Sequence, residues 1–155
     1  MKIIIDGNDG TGKTTLTKKL KEEVNITSYI HLSYKDPCDF YFYYYLLKKE
    51  DVIFDRSFID EKIYSKIFNR QTYITNLMFN ELYNQIIKEK IIVIICERKN
   101  KLYTKNEKKE IINAENEIDN YFKMIAKKYN YIIFNTEIDN YFELVKKIRK
   151  QGITK

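Results

Sequence analysis

Short apolar runs alternate with longer amphipathic stretches along the whole chain. Lys2–Asp6, Thr27–Leu32, Val52–Asp55, Ile91–Cys96 and Tyr131–Asn135 are rich in β-branched and aromatic residues and have the length of strands. Ile91–Cys96 is apolar at successive positions, as expected of a strand covered on both faces. Between these runs, Lys13–Val24, Cys38–Lys49, Ala114–Lys128 and Glu137–Arg149 repeat apolar residues every three or four positions, the period of a helix with one buried face. Phe58–Lys88 keeps that period over a length that suggests a break near Gln71. Lys99–Lys109 is charged and aperiodic and reads as a loop. The order βαβαβαβαβα predicts an α/β fold, a five-stranded parallel sheet sandwiched by helices.

Composition adds limits to this picture. A chain of 155 residues with 44% hydrophobic and 15% aromatic content is expected to form one globular domain, residues 1–155. No apolar run approaches the roughly 18 residues of a membrane span. Lys2 leads directly into Ile3–Ile5 and a glycine loop, which argues against a signal peptide and makes a cytoplasmic location the default expectation. Two distant cysteines, Cys38 and Cys96, and a single histidine, His31, exclude a disulfide framework and a Cys/His zinc site. The net charge of +6 suits a polyanionic partner, but the abundance of Lys, Asn, Ile and Tyr also fits an AT-rich coding sequence. The tyrosines of Tyr41–Tyr45, at helical spacing, divide between core positions and a platform for stacking a base. Asp119–Phe122 and Asp139–Phe142 share one tetrapeptide, but their surroundings do not repeat.

One segment carries chemistry outright. Gly7-Asn8-Asp9-Gly10-Thr11-Gly12-Lys13-Thr14 matches G-x-x-x-x-G-K-[ST] at every fixed position, after a predicted strand and at the start of a predicted helix. Three of the four glycines of the chain fall between Gly7 and Gly12. Such a loop turns successive N–H groups toward phosphate oxygens, and the helix N-terminus adds positive potential beneath them. Asp9, Gly10, Thr11, Gly12, Lys13, Thr14 and Thr15 are therefore candidate ATP-binding residues. Lys13 is placed to reach the β- and γ-phosphates, and Thr14 to ligate Mg2+.

The second constellation is Asp55-Arg56-Ser57, where a strand ends and a long helix begins. Ligands of open α/β sheets bind at that edge. There an acid positions a metal and an arginine neutralises phosphate, although Asp55 or Ser57 also fits a helix cap.

Together the two motifs resemble the thymidylate kinase and deoxynucleoside kinase group of P-loop kinases. Ile5–Thr15, with an acid in mid-loop and Thr-Thr at the end, is similar to the thymidylate-kinase form. Asp55-Arg56-Ser57 with Glu61 and Tyr64 is similar to the Asp-Arg motif of the family and the helix after it. The resemblance implies a P-loop NTPase fold with a short lid and ATP with Mg2+ as phosphoryl donor. It places Asp9 on the sugar of the acceptor, Asp55 beside Thr14 at the metal, and Arg56 on the phosphate or 5′ oxygen of the acceptor. Asp36-Pro37 is similar to the Glu-Pro of relatives, making Asp36 an acceptor-side acid and the base in a nucleoside kinase. Asn135–Asp139 falls where relatives hold adenine, which makes Asn135 an ATP contact. The lid equivalent, Glu97–Lys105, supplies Arg98, Lys99, Lys101 and Lys105 but no paired arginines, and Arg98 is the catalytic candidate. For any one of those lysines the solvated loop residue is the stronger reading.

Only 17 residues, 38–54, separate Pro37 from Asp55, and Cys38–Lys49 contains no arginine. Base recognition therefore passes to Arg70 with Phe58, Tyr64 and Phe68, the phenylalanines being core residues or stacking rings. The expected function is an ATP-dependent nucleoside monophosphate kinase with thymidylate favoured. A deoxynucleoside kinase, a DNA-directed kinase and an ATP sensor are the alternatives, with homodimerisation through the helix after Ser57.

Overall fold

Successive strand residues point to opposite sides of a sheet, and the sequence Ile3-Ile4-Ile5 accordingly feeds two separate cores. The computed structural model describes residues 1–33, 35–103 and 109–153. Its strands are β1 (Lys2–Gly7), β2 (Ser28–His31), β3 (Val52–Asp55), β4 (Ile92–Glu97) and β5 (Ile132–Asn135). All pairings are parallel, in the order β2-β3-β1-β4-β5. The helices are α1 (Lys13–Glu23), α2 (Phe40–Leu47), α3 (Phe58–Ile67), α4 (Asn76–Lys88), α5 (Lys109–Asn113), α6 (Glu115–Tyr129) and α7 (Tyr141–Ile153).

On one face, Ile4, Val52, Phe54, Val93 and Ile95 meet α2, α3, α4 and α6 through Leu46, Ile63, Phe79, Leu82 and Phe122. On the other, Ile3, Ile5, Ile53, Ile94 and Phe134 meet Leu16 and Leu20 of α1 and Leu144, Val145 and Ile148 of α7. The helices thus cover both faces, as the β-branched strands require. No helix among the described residues is long and apolar enough to cross a membrane.

The expected break in 58–88 is a full interruption. Ser57 caps α3 by accepting from Ile59 N–H, Asn69 takes a positive φ after α3, and Thr75 caps α4 by accepting from Met78 N–H. The last helix begins at Tyr141, four residues later than its period suggests. Asn140 accepts from Phe142 N–H, and Asp139 folds back onto Asn135 N–H, so 136–140 forms a turn. The short helix α5 begins at Lys109, the last residue of the stretch expected to be a loop, and runs on to Asn113. It is held by Ile111, which is buried, and residues 104–108 of that stretch lie outside the described residues.

Candidate active site

The loop after β1 is shaped by backbone conformations that side chains resist. Gly7 has φ +136°, and a Cβ there would lie 2.3 Å from the Cys96 carbonyl oxygen. Gly10 has φ +74°, and its Cβ would meet Lys101 and Leu102, whose N–H donates to Gly10 O at 2.9 Å. Gly12 starts α1, which has no side-chain cap and no acid in its first turn. Its leading N–H groups are therefore left for an anion. Lys13 is buried and donates to the carbonyls of Gly7 (2.8 Å) and Asn8 (2.7 Å), with Asp9 3.5 Å away. Thr14 and Thr15 lie exposed in the first turn of α1, and Thr11 is buried, its hydroxyl on Asn8 O.

Asp55 ends β3 next to this loop. The Thr14 hydroxyl donates to Asp55 Oδ2 at 2.7 Å, which leaves the Thr14 lone pairs free, while Asp55 Oδ1 is buried without a donor among the described residues. A lone-pair-bearing hydroxyl beside an unpartnered carboxylate oxygen is a donor set that suits a hard divalent cation such as Mg2+. The residues present therefore fit the metal the sequence implies.

Arg56 follows with φ +79°, a conformation that costs a non-glycine residue about 1–3 kcal/mol. Its N–H donates to Ile5 O, and its guanidinium reaches Asp9 at 2.6 Å and Asp60 at 3.2 Å. Burial pushes the Asp9 carboxyl up, but Lys13 and Arg56 outweigh it and hold Asp9 below the usual carboxylate range. Beneath Arg56, Asp6 is fully buried and accepts from Ser57 Oγ at 2.5 Å. Burial, then the neighbouring Asp60 carboxylate, pushes Asp6 well above its usual range. Asp60 Oδ1 has no donor among the described residues, and a proton on Asp6 would supply one.

These residues open onto a cavity of about 370 Å³ lined by Asp9, His31, Arg56, Asp60, Glu61, Tyr64 and Arg70, with Leu32, Tyr43 and Ile111 as apolar walls. Tyr64 donates to Asn8 Oδ1, and Arg70 stands at the rim, paired with Glu110 and packed over Phe68. Phe58 does not face the cavity. It is 0% exposed and packs edge-on against Tyr43 and Tyr83, which leaves no ring face for a base. Asp36 does not line the cavity either, because its carboxylate accepts from Ser33 N–H (2.6 Å) and Oγ (3.1 Å) in its own loop.

Beyond β4, Arg98 turns back, its Nε donating to Asn100 O. Lys101 is not the solvated lysine its sequence context suggests. Its side chain is 4% exposed and its ammonium meets Asp119 at 2.6 Å. Asp119 also accepts from the Asn8 amide at 2.8 Å, so α6 ties the phosphate loop to the segment after β4. Lys105 lies outside the described residues. Asn135 ends β5 at the same sheet edge, and its neighbour Thr136 donates to Thr11 O at 2.7 Å.

Sequence reasoning missed Tyr29, His31, Asp6, Asp60 and Asp119, and named Lys101 only among the lid lysines. Only His31 carried a signal, as the single histidine near a strand end.

No protein-family model matches the chain, and no curated protein sequence does. Among solved structures it resembles the YorR protein of Bacillus subtilis, in complex with phosphorylated GDP, at 19% identity and TM-score 0.76, over 98% of this chain and 95% of that one. It also resembles deoxyadenosine kinase from M. mycoides with bound dCTP, at 18% identity and TM-score 0.55, over 98% of each chain. A third likeness is to thymidylate kinase from Ehrlichia chaffeensis, at 18% identity and TM-score 0.52, over 97% of each chain. The five-stranded parallel sheet flanked by helices is the fold this chain shares with these structures.

Proposed function

We propose that this chain is a nucleotide kinase that transfers the γ-phosphoryl group of ATP to a deoxynucleoside monophosphate, with thymidylate the favoured acceptor. The observation that carries this reading is Arg56, held in a strained conformation between the phosphate loop and the 370 Å³ cavity. Strain retained at such a point marks a side chain with a task. The preference for thymidylate rests on the spelling of the loop, with Asp9 in its middle and Thr14-Thr15 at its end.

The loop N–H groups and the α1 N-terminus cradle the ATP phosphates, and Lys13 neutralises charge on the transferring group. Thr14 and Asp55 would hold Mg2+, which would supply further neutralisation of phosphate charge. Arg56 meets the acceptor phosphate, and Asp9 orients both Arg56 and the acceptor sugar. Catalysis is then mostly positioning and charge neutralisation, because a phosphate nucleophile is already anionic. Asp36, turned onto Ser33, is not needed as a base.

One observation favours a second reading, a deoxynucleoside kinase acting on a 5′-hydroxyl. Arg56 already carries two carboxylates, so an uncharged acceptor meets less repulsion in this cavity. A DNA 5′-hydroxyl is the same chemistry on a larger acceptor. Homodimerisation through α3 remains part of the proposal by family analogy.

The deciding experiment is ATP consumption with magnesium against a panel of deoxynucleoside monophosphates, the matching nucleosides and 5′-hydroxyl DNA, with Lys13→Ala as blank. Turnover on one monophosphate, absent in the blank, is the expected result. Turnover on nucleosides or DNA alone moves the assignment to the second reading. Silence throughout refutes both.

A further inference from the structure

The two oxygens of Asp55 are treated unequally. Oδ2 accepts from Thr14 Oγ1 at 2.7 Å and from the Tyr29 hydroxyl at 3.1 Å, and His31 Nδ1 lies 2.9 Å away. Oδ1, in a residue with 0% exposure, has no donor among the described residues. A buried carboxylate oxygen without a donor is costly, and a cation is the partner that removes the cost. An unconstrained carboxylate rotates and shares donors between its oxygens. Three donors gathered at one oxygen fix its plane and leave the other for a single purpose.

Two of those donors come from β2, the edge strand. Parallel register sets His31 opposite Asp55, and Tyr29, two residues earlier, projects from the same face. The Tyr29 hydroxyl can only donate to the carboxylate oxygen it faces. A histidine nitrogen facing a carboxylate oxygen is a donor as well, which fixes the tautomer of His31 at Nδ1–H.

We propose that Tyr29 and His31 are positioning residues for the magnesium site: they occupy Asp55 Oδ2 and thereby keep Oδ1 presented to the metal that accompanies ATP. This rests on the Mg–ATP reading given above. Neither side chain touches the metal; each acts through Asp55, as outer hydrogen bonds do for other metal ligands.

Mn2+ serves as the probe, its binding followed by electron paramagnetic resonance in the presence of a non-hydrolysable ATP analogue. Tyr29→Phe and His31→Ala should each weaken Mn2+ binding about ten-fold. His31→Asn places an amide N–H close to the position of Nδ1 and should stay within about three-fold of wild type. Binding of the analogue in EDTA should be unchanged in all three, with thermal melts confirming that each variant is folded.

Unchanged Mn2+ affinity in Tyr29→Phe and His31→Ala overturns the inference while leaving the Mg–ATP reading intact. Equal losses in His31→Asn and His31→Ala, or parallel loss of metal-free analogue, also overturn it, because those patterns belong to general support of the loop. Failure of the wild-type chain to bind analogue or Mn2+ refutes the Mg–ATP reading and the inference with it.

Discussion

Asp6 occupies a place where a charged carboxylate is unfavourable, fully buried and beside Asp60. The folded chain keeps a proton there that an unfolded aspartate releases above about pH 4. The folded state therefore binds more protons, and stability falls as pH rises from there toward the raised value of Asp6. Asp6→Asn keeps an acceptor for Gly7 N–H and puts an uncharged amide N–H in place of Oδ2, where it can donate to the Ser57 hydroxyl or to Asp60. Its melting temperature should change less between pH 5 and 8 than that of wild type, with the difference growing in its favour as pH rises. If the wild-type slope persists in the variant, the Asp6–Asp60 pair is not its source. Gly7 sets the opposite kind of constraint. Gly7→Ala combines a positive φ with overlap onto the rigid Cys96 carbonyl, and should cost on the order of 3 kcal/mol in urea unfolding.

At the scale of elements, α6 joins parts of the site that are far apart in sequence. Its Asp119 holds the Asn8 amide of the phosphate loop and the buried ammonium of Lys101, while Tyr103 donates to Glu115 one turn earlier. Removing Asp119 leaves the buried Lys101 ammonium with only the more distant Glu115 carboxylate, 3.6 Å away, so Asp119→Ala should lose about 1–3 kcal/mol in urea unfolding. Lys101→Met removes the charge together with its need for a partner and should lose less. The ATP KM should rise in Asp119→Ala, since Asn8 loses its tether. Equal losses in the two variants would place the cost in packing instead of charge. None of this was legible in the sequence, where Lys101 reads as a solvated lysine and Asp119 as part of a chance tetrapeptide. The phosphate loop was legible because its residues are contiguous and its chemistry dictates their spacing. Strand ends came within a residue or two because β-branched runs are short and bounded. Phe58 illustrates the limit: an aromatic beside a ligand motif reads as a core residue or a stacking ring, and only the closure of α2 and α4 over it decides for the core. Tyr29 and His31 depend on sheet register, which no local pattern encodes.

The strand order gives the whole molecule its division of labour. β1 is central and carries the phosphate loop; β3 and β2 on one side bring Asp55, Arg56 and the cavity, and β4 and β5 on the other bring Arg98, Asn135 and Thr136. Because the loop and the turn after it bridge both halves, through Asp9 and Thr14 on one side and Asn8 and Thr11 on the other, a ligand on it should stabilise the whole chain and not one loop alone. A ligand at 100 times its Kd contributes about 2.7 kcal/mol. For a chain of this size each kcal/mol raises Tm by about 2–4 °C. A saturating magnesium complex of a non-hydrolysable ATP analogue should therefore raise Tm by about 5–10 °C in a single transition. Lys13→Ala should abolish the shift, because without the ammonium the phosphates keep their mutual repulsion. A shift confined to a separate, earlier transition would show that the loop melts independently of the sheet and that the bridging contacts do not couple the two halves.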